Sequence, residues 1–278
     1  MTENTNQWDE ETSETFIDYG RYMVPERERQ MAIMVALLPE RTPLSVLELC
    51  CGEGLLADEI LRARPEAIVH GYDGSARMLA AAATRTAWAG PRFIPQEFDL
   101  GSPDWRQPDF RPDAVVSSLA IHHLDGPGKA ALYRDLFQLM APGGQLLIAD
   151  LIEAPGAAAQ ALAAAQWDEA VKARSLAIDG HTAVYDFFER DAWNILRHPD
   201  PMDMPSPIHD HLRWLADAGF TAIDVYWLKA GHAIYGARNR QCKRISYAIP
   251  ARDREAVNCH ATNASARCGL WFNVDRLK

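Results

Sequence analysis

The sequence predicts an α/β fold, a mostly parallel seven-stranded sheet covered by helices and closed by an antiparallel hairpin. Three observations predict it. Short apolar runs alternate with helical patterns five times between Leu44 and Ile152, and such alternation implies parallel strands with right-handed crossovers. The run Asp113–Ser118 is short and apolar at consecutive positions, as a strand buried on both faces must be. Two later runs, Thr221–Trp227 and His232–Gly236, are joined only by Leu228-Lys229-Ala230-Gly231. That join is too short for a crossover and long enough for a hairpin.

The elements follow in order. Residues 1–24 read as a polar N-terminal segment. Residues 25–38 read as a helix with Met31, Met34, Val35 and Leu38 on one face. Pro43 ends it before the first strand, Leu44–Leu49. A helix near 53–64, a strand near 67–72, a helix near 75–88 and a strand around Arg92–Pro95 come next. After the 113–118 strand a helix runs near 127–140, stopped by Ala141-Pro142-Gly143-Gly144. The fifth strand is Gln145–Ile152. Residues 153–205 then carry no strand signal. Their Ala-rich stretch 157–176 and residues 183–196 read as helices, and the Pro-rich stretch 198–207 as a loop. This insertion, with the N-terminal helices, is expected to cap the strand ends. A helix at 208–218 shows Ile208, Leu212 and Leu215 on one face and stops at Gly219. One domain is expected over 25–238, with 239–278 as a weakly ordered basic tail.

The bulk properties bound the function. A chain of 278 residues suits one large domain. The net charge is −10, although residues 239–278 hold eight Lys/Arg against three acids. The acidic body disfavours a nucleic-acid substrate. No run reaches the length of a membrane span. The polar, acidic start is unlike a secretory leader, so a cytoplasmic location is expected. Five cysteines, two of them adjacent, argue against a disulfide framework. Cys242, Cys259, His260 and Cys268 lack the close cysteine pair of zinc modules. His209 and His211 face different sides of a helix. No metal is expected.

Residues 46–54, Val-Leu-Glu-Leu-Cys-Cys-Gly-Glu-Gly, carry the chemistry. An apolar strand ends in small residues and opens a helix. Small residues let a ligand lie against backbone, and a helix N-terminus offers unpaired N–H groups. A second apolar run, Ala67–Tyr72, ends at Asp73, and an acid at that strand tip is placed to take both ribose hydroxyls. A nucleoside-containing cofactor follows.

With these motifs placed, residues 25–237 resemble the class I S-adenosylmethionine-dependent methyltransferases, whose sheet is Rossmann-like. Glu48, Cys50, Gly52 and Gly54 match that family's acid and its alternating small residues, with Cys50 replacing the usual first glycine. Asp73 stands at the ribose acid. Phe98-Asp99-Leu100 stands where an acid and the next N–H meet adenine. Leu139–Gly144 followed by Leu146-Leu147-Ile148 matches the fifth-strand motif, and Ala218-Gly219-Phe220 precedes strand six. The resemblance implies S-adenosyl-L-methionine held by Glu48, Cys50, Gly52, Gly54, Asp73, Gly74, Met78, Asp99, Leu100 and Ser118. A nicotinamide-dependent oxidoreductase would account for none of Asp99, the Pro-Gly-Gly turn or the terminal hairpin.

The expected reaction is methyl transfer to a small or medium organic acceptor. An in-line methyl held near a nucleophile supplies much of such a reaction's acceleration. An oxygen or carbon acceptor wants a base, and His122 or His123, leaving strand four, is the candidate. Tyr19, Tyr22, Trp167, Arg174, His181, Tyr185, Phe188, Trp193 and His209 are candidate acceptor-lining groups, and Arg21, Arg27 and Arg29 candidate anchors for an acidic group. Two other readings stand beside this one. One is a carboxy-S-adenosylmethionine enzyme of tRNA wobble-uridine modification; the other is a non-catalytic S-adenosylmethionine-binding protein.

Overall fold

The computed structural model describes residues 10–239. Residues 1–9 and 240–278, with most of the expected tail and its three cysteines, lie outside the described residues. The elements are α1 (Glu10–Met23), α2 (Arg27–Ala36), β1 (Leu44–Leu49), α3 (Leu55–Ala63), β2 (Ala67–Asp73), α4 (Ala76–Thr86) and β3 (Phe93–Glu97). They continue with β4 (Ala114–Ser118), α5 (Gly126–Leu139), β5 (Gln145–Leu151), α6 (Ala157–Asp179), α7 (Ala183–Arg190), α8 (Ile208–Ala218), β6 (Thr221–Lys229) and β7 (His232–Arg238).

The seven strands lie in the order β3-β2-β1-β4-β5-β7-β6. Strands β1 to β5 pair in parallel, and β7 runs antiparallel to both β5 and β6. The order reverses between β1 and β4, which opens a crevice at their carboxyl ends. Alternate side chains leave opposite faces of each strand. Val116 thus joins Val46, Leu56, Ile60, Val69 and Leu147 in one core. Val115 joins Leu47, Leu132, Leu136, Ile148 and Tyr235 in the other. A third, smaller core (Met23, Trp167, Val171, Phe188 and Leu196) holds the cap together.

Three expectations shift. Residues 10–23 form helix α1 rather than a plain polar segment. Its inward face is narrow (Ser13, Gly20, Tyr22 and Met23 are buried), and polar ties fix it from outside: Ser75 Oγ donates to Glu10 Oε2 at 2.9 Å and Tyr22 Oη to Asp179 Oδ1 at 3.1 Å. Helix α7 stops at Arg190, short of Leu196. Ala192 is left-handed (φ 58°), and Asn194 Nδ2 donates to Ala164 O at 3.0 Å and Asp168 Oδ1 at 2.6 Å, drawing the chain onto α6. Asn239, expected in the tail, is buried and continues the β7 pairing, its N–H donating to Gly144 O at 2.9 Å.

Candidate active site

Strand β1 feeds a turn in which Cys50 (φ 53°) and Gly52 (φ 54°) are both left-handed. A Cβ on Gly52 would meet only Met78 Sδ, 4.0 Å away, so the backbone lies open there. The Gly52 N–H donates to Asp73 Oδ2 at 2.7 Å, and the Ser75 N–H to Asp73 Oδ1 at 2.9 Å. Burial raises the Asp73 carboxyl, and these backbone donors oppose it. Ser75, not Asp73, caps α4, its Oγ accepting from Met78 N at 3.1 Å. The carboxylate, which takes backbone N–H groups of Gly52, Gly74 and Ser75, still has acceptor capacity left for a ligand.

These groups border a cavity of about 1080 Å³ at the carboxyl ends of the strands. Glu48, Cys50, Gly52, Asp73, Gly74, Met78, Asp99, Leu100, Ser118, His122 and His123 are on its wall. Gly54 is not among them. It opens α3 at φ 77°, where a Cβ would fall 2.9 Å from Ala82 Cβ, so glycine is required there for helix packing. Asp99 accepts the Gly101 N–H at 2.8 Å, forming its own turn.

Two polar groups on this wall are sealed from solvent and have no hydrogen-bond partner among the described residues: Glu48 Oε2 and Arg27 Nη1. Burial, with Asp73 nearby, pushes the Glu48 carboxyl up to about 8. Burial lowers the Arg27 guanidinium and Glu53 opposes it; its Cζ sits 5.4 Å from the Phe16 ring centroid. Such orphaned groups are costly without a ligand.

The other end is formed by the cap. Trp167, Phe188 and Trp193 reach the wall as expected, whereas Tyr19, Tyr22, Arg174, His181, Tyr185 and His209 do not. Several of the latter bind the cap together instead, as Arg174 does by pairing with Glu28. Sequence reasoning missed Asp203 and His232. Asp203 is one acid in a Pro-rich loop and gives no signal; His232 sits in a strand that reads as hairpin. His232 is buried, with Nδ1 2.8 Å from Ala230 O. Burial pushes it down to about 4, so it is neutral, with Nδ1 protonated and Nε2 an acceptor.

His122 stands between two carboxylates. Its Nδ1 is 2.5 Å from Asp150 Oδ1 and its Nε2 3.3 Å from Asp203 Oδ1. Burial works against the charge, but Asp150 and Asp203 outweigh it and raise His122 to about 9. At neutral pH it already holds its proton, which corrects the expectation of His122 as a base. His123 Nδ1 lies 3.2 Å from both Met202 O and Asp203 Oδ1. The strap 202–206 that carries Asp203 is anchored below. Lys129 Nζ donates to Ser206 Oγ at 2.8 Å and to Met204 O, and the Met204 N–H donates to His122 O at 2.8 Å.

The sheet order and the glycine turn facing an aspartate define a nucleoside-binding α/β domain, and comparison with known proteins gives it a family. Residues 46–144 match the family described as methyltransferase domain. The trans-aconitate 2-methyltransferase of Methylobacterium radiotolerans is 32% identical over 187 residues, 62% of this chain and 68% of that protein. The protein of the same name from Methylobacterium nodulans is 29% identical over 180 residues, 63% of this chain and 66% of that one. The chain thus spans about two thirds of the length of either relative. It belongs to the class I S-adenosylmethionine-dependent methyltransferases. An O-methyltransferase family protein from Burkholderia thailandensis has the same fold, with a TM-score of 0.58 at 16% identity, over 83% of this chain and 60% of that one. Among the described residues no helix is long and apolar enough to cross a membrane.

Proposed function

We propose that this protein transfers the methyl group of S-adenosylmethionine to a flat organic acceptor of small to medium size. The residues present fit the cofactor. Glu10, Glu48, Glu53, Asp73, Glu97 and Asp99 make one end of the wall acid-rich, which suits a sulfonium cation. The orphaned Glu48 Oε2 and Arg27 Nη1 suit the ammonium and carboxylate of its methionine part. Asp73 has lone pairs left for the ribose, and Asp99 and Leu100 stand at the adenine end. When bound, the cofactor supplies an electrophilic methyl. The protein's own work is to bind, orient and exclude water, because in-line positioning is the main requirement of such a transfer.

The observation that carries the acceptor reading is the composition of the cap end. Trp167, Phe188, Trp193, Leu151 and Ile195 offer flat apolar walls. Its histidines do not suit a polyanion: His232 is neutral, and His122 and His123 both already face Asp203. A tricarboxylate such as trans-aconitate, named for the two Methylobacterium relatives, would meet Asp203 there and too little free positive charge. His232, neutral and on the cavity wall, can accept a hydrogen bond from an acceptor hydroxyl and so orient its oxygen.

The test is S-adenosylhomocysteine formation by the full chain across a panel of phenols, hydroxylated aromatics and aromatic acids, with trans-aconitate alongside. Saturable turnover of aromatic acceptors and none of trans-aconitate is expected. The reverse would overturn the acceptor reading. Absence of any S-adenosylmethionine binding would overturn the assignment of the cofactor residues.

A further inference from the structure

One cluster on the cavity wall has no task in the reading above. His122 and His123 share a short 3-10 turn, Ile121–His123, that follows β4, with ring centroids 4.2 Å apart. Asp203 reaches them from the strap of the cap. His122 Nε2 is 3.3 Å and His123 Nδ1 3.2 Å from the same oxygen, Asp203 Oδ1. One donor atom from each residue falls within 4.8 Å of the others. All three residues line the cavity.

The two separations to Asp203 Oδ1 match those of ligands around a common ion. Bonds of about 2.1 Å to one metal set neighbouring ligand atoms about 3.0 Å apart at right angles and about 3.4 Å apart at the tetrahedral angle. The observed 3.2 and 3.3 Å lie between those limits. A metal-bound histidine almost always gives its other ring N–H to a carboxylate or carbonyl, which fixes the tautomer and turns the ring. Asp150 fills that place, 2.5 Å from His122 Nδ1, and its Oδ2 accepts the His122 backbone N–H at 2.9 Å. Two buried or half-buried carboxylates thus converge on one imidazole. Lys129 and the Met204 N–H anchor the strap just after Asp203, at Met204 and Ser206.

We propose that His122 Nε2, His123 Nδ1 and Asp203 Oδ1 bind a divalent first-row transition metal of the Zn²⁺ class, the ion displacing the His122 Nε2 proton to solvent. Asp150 orients His122 from behind. Two imidazoles and one carboxylate suit such ions better than Mg²⁺ or Ca²⁺, which prefer all-oxygen shells. Three protein ligands leave at least one position open, and here it faces the cavity, where a water or an acceptor oxygen completes the shell. The site links the body of the fold to its cap, so the metal also fixes the strap.

The test is metal uptake rather than turnover, so it stands apart from the acceptor reading. The full chain is stripped with a chelator and titrated with Co²⁺, and its Zn²⁺ form is studied by X-ray absorption. The expected result is one equivalent bound, with visible ligand-field bands, a shell of nitrogen and oxygen only, and two imidazoles. His123→Ala and Asp203→Asn should each weaken uptake at least tenfold. No uptake at one equivalent, a sulfur-containing shell, or undiminished affinity in both variants would overturn the site. Should a variant fail to fold, the shell measured in the unaltered protein decides.

Discussion

At the turn end of the cavity, Glu48 and Asp73 sit on adjacent strands paired in register, Glu48 beside Gly71 and Leu49 beside Tyr72, and Cys50 and Gly52 on the turn that leaves the first of them. At the cap end, Trp167, Phe188, Trp193, Asp203 and His232 come from α6, α7, the long loop between α7 and α8, and β7. The first is made largely of backbone: N–H groups aimed at one aspartate and a glycine with nothing over it. The second is made of side chains held by other side chains, such as Asn194 on Ala164 and Asp168, or Lys129 on Ser206. A backbone-built site tolerates few substitutions and recognises a constant ligand. A side-chain-built site can change with little cost to the fold, which is what acceptor choice requires.

The largest expected effect separates the two ends by pH. His122 rises from the ordinary 6.5 to about 9 in the fold. Its stabilising contribution is complete below the unfolded value and is lost as pH climbs through about 9; the shift corresponds to about 3 kcal/mol. Urea denaturation with chelator present, followed from about pH 6 to about pH 10, measures it. Glu48, raised to about 8, also costs stability as pH climbs towards about 8, because the fold holds a proton that the unfolded chain has already released; above about 8 it adds no further decline. The decline should therefore persist in Glu48→Gln and shrink in His122→Gln. A midpoint independent of pH in the unaltered protein would show that His122 is not paired as described.

Next in size is Asp73→Asn. One amide oxygen cannot accept both the Gly52 and Ser75 N–H groups as well as a ribose. Affinity for S-adenosylhomocysteine should fall by about 2 kcal/mol, roughly thirtyfold, by calorimetry. An unchanged heat and affinity would remove the ribose role. The smallest effect is Trp193→Ala. Acceptor KM should rise by about tenfold through lost apolar contact, while S-adenosylhomocysteine binding stays within about twofold because the two ends share no partners. Equal losses in both would erase the distinction between them.

Much of this was legible before the fold. The strand Leu44–Leu49 has the bounds its apolar run predicts, and the hairpin follows from a join too short for a crossover. Helix α1 was not legible, because its buried stripe is narrow and its anchors, Ser75, Arg77 and Asp179, lie far along the chain. Gly54 matched a ligand-binding motif by spacing alone. Only the position of Ala82 explains why it must be glycine. Arg27 was one of three arginines of equal standing until Nη1 proved to be sealed on the cavity wall.

By itself the sequence determined the parallel strands, the terminal hairpin and the glycine turn followed by Asp73, because local periodicity and turn chemistry act over a few residues and need no distant partner. Only the tertiary structure decided the cap end: that Asp203 meets His122 and His123, that His232 is neutral, and that six expected lining groups turn away. Those outcomes depend on desolvation and on contacts between segments separated by long stretches of chain, which no spacing along the sequence encodes.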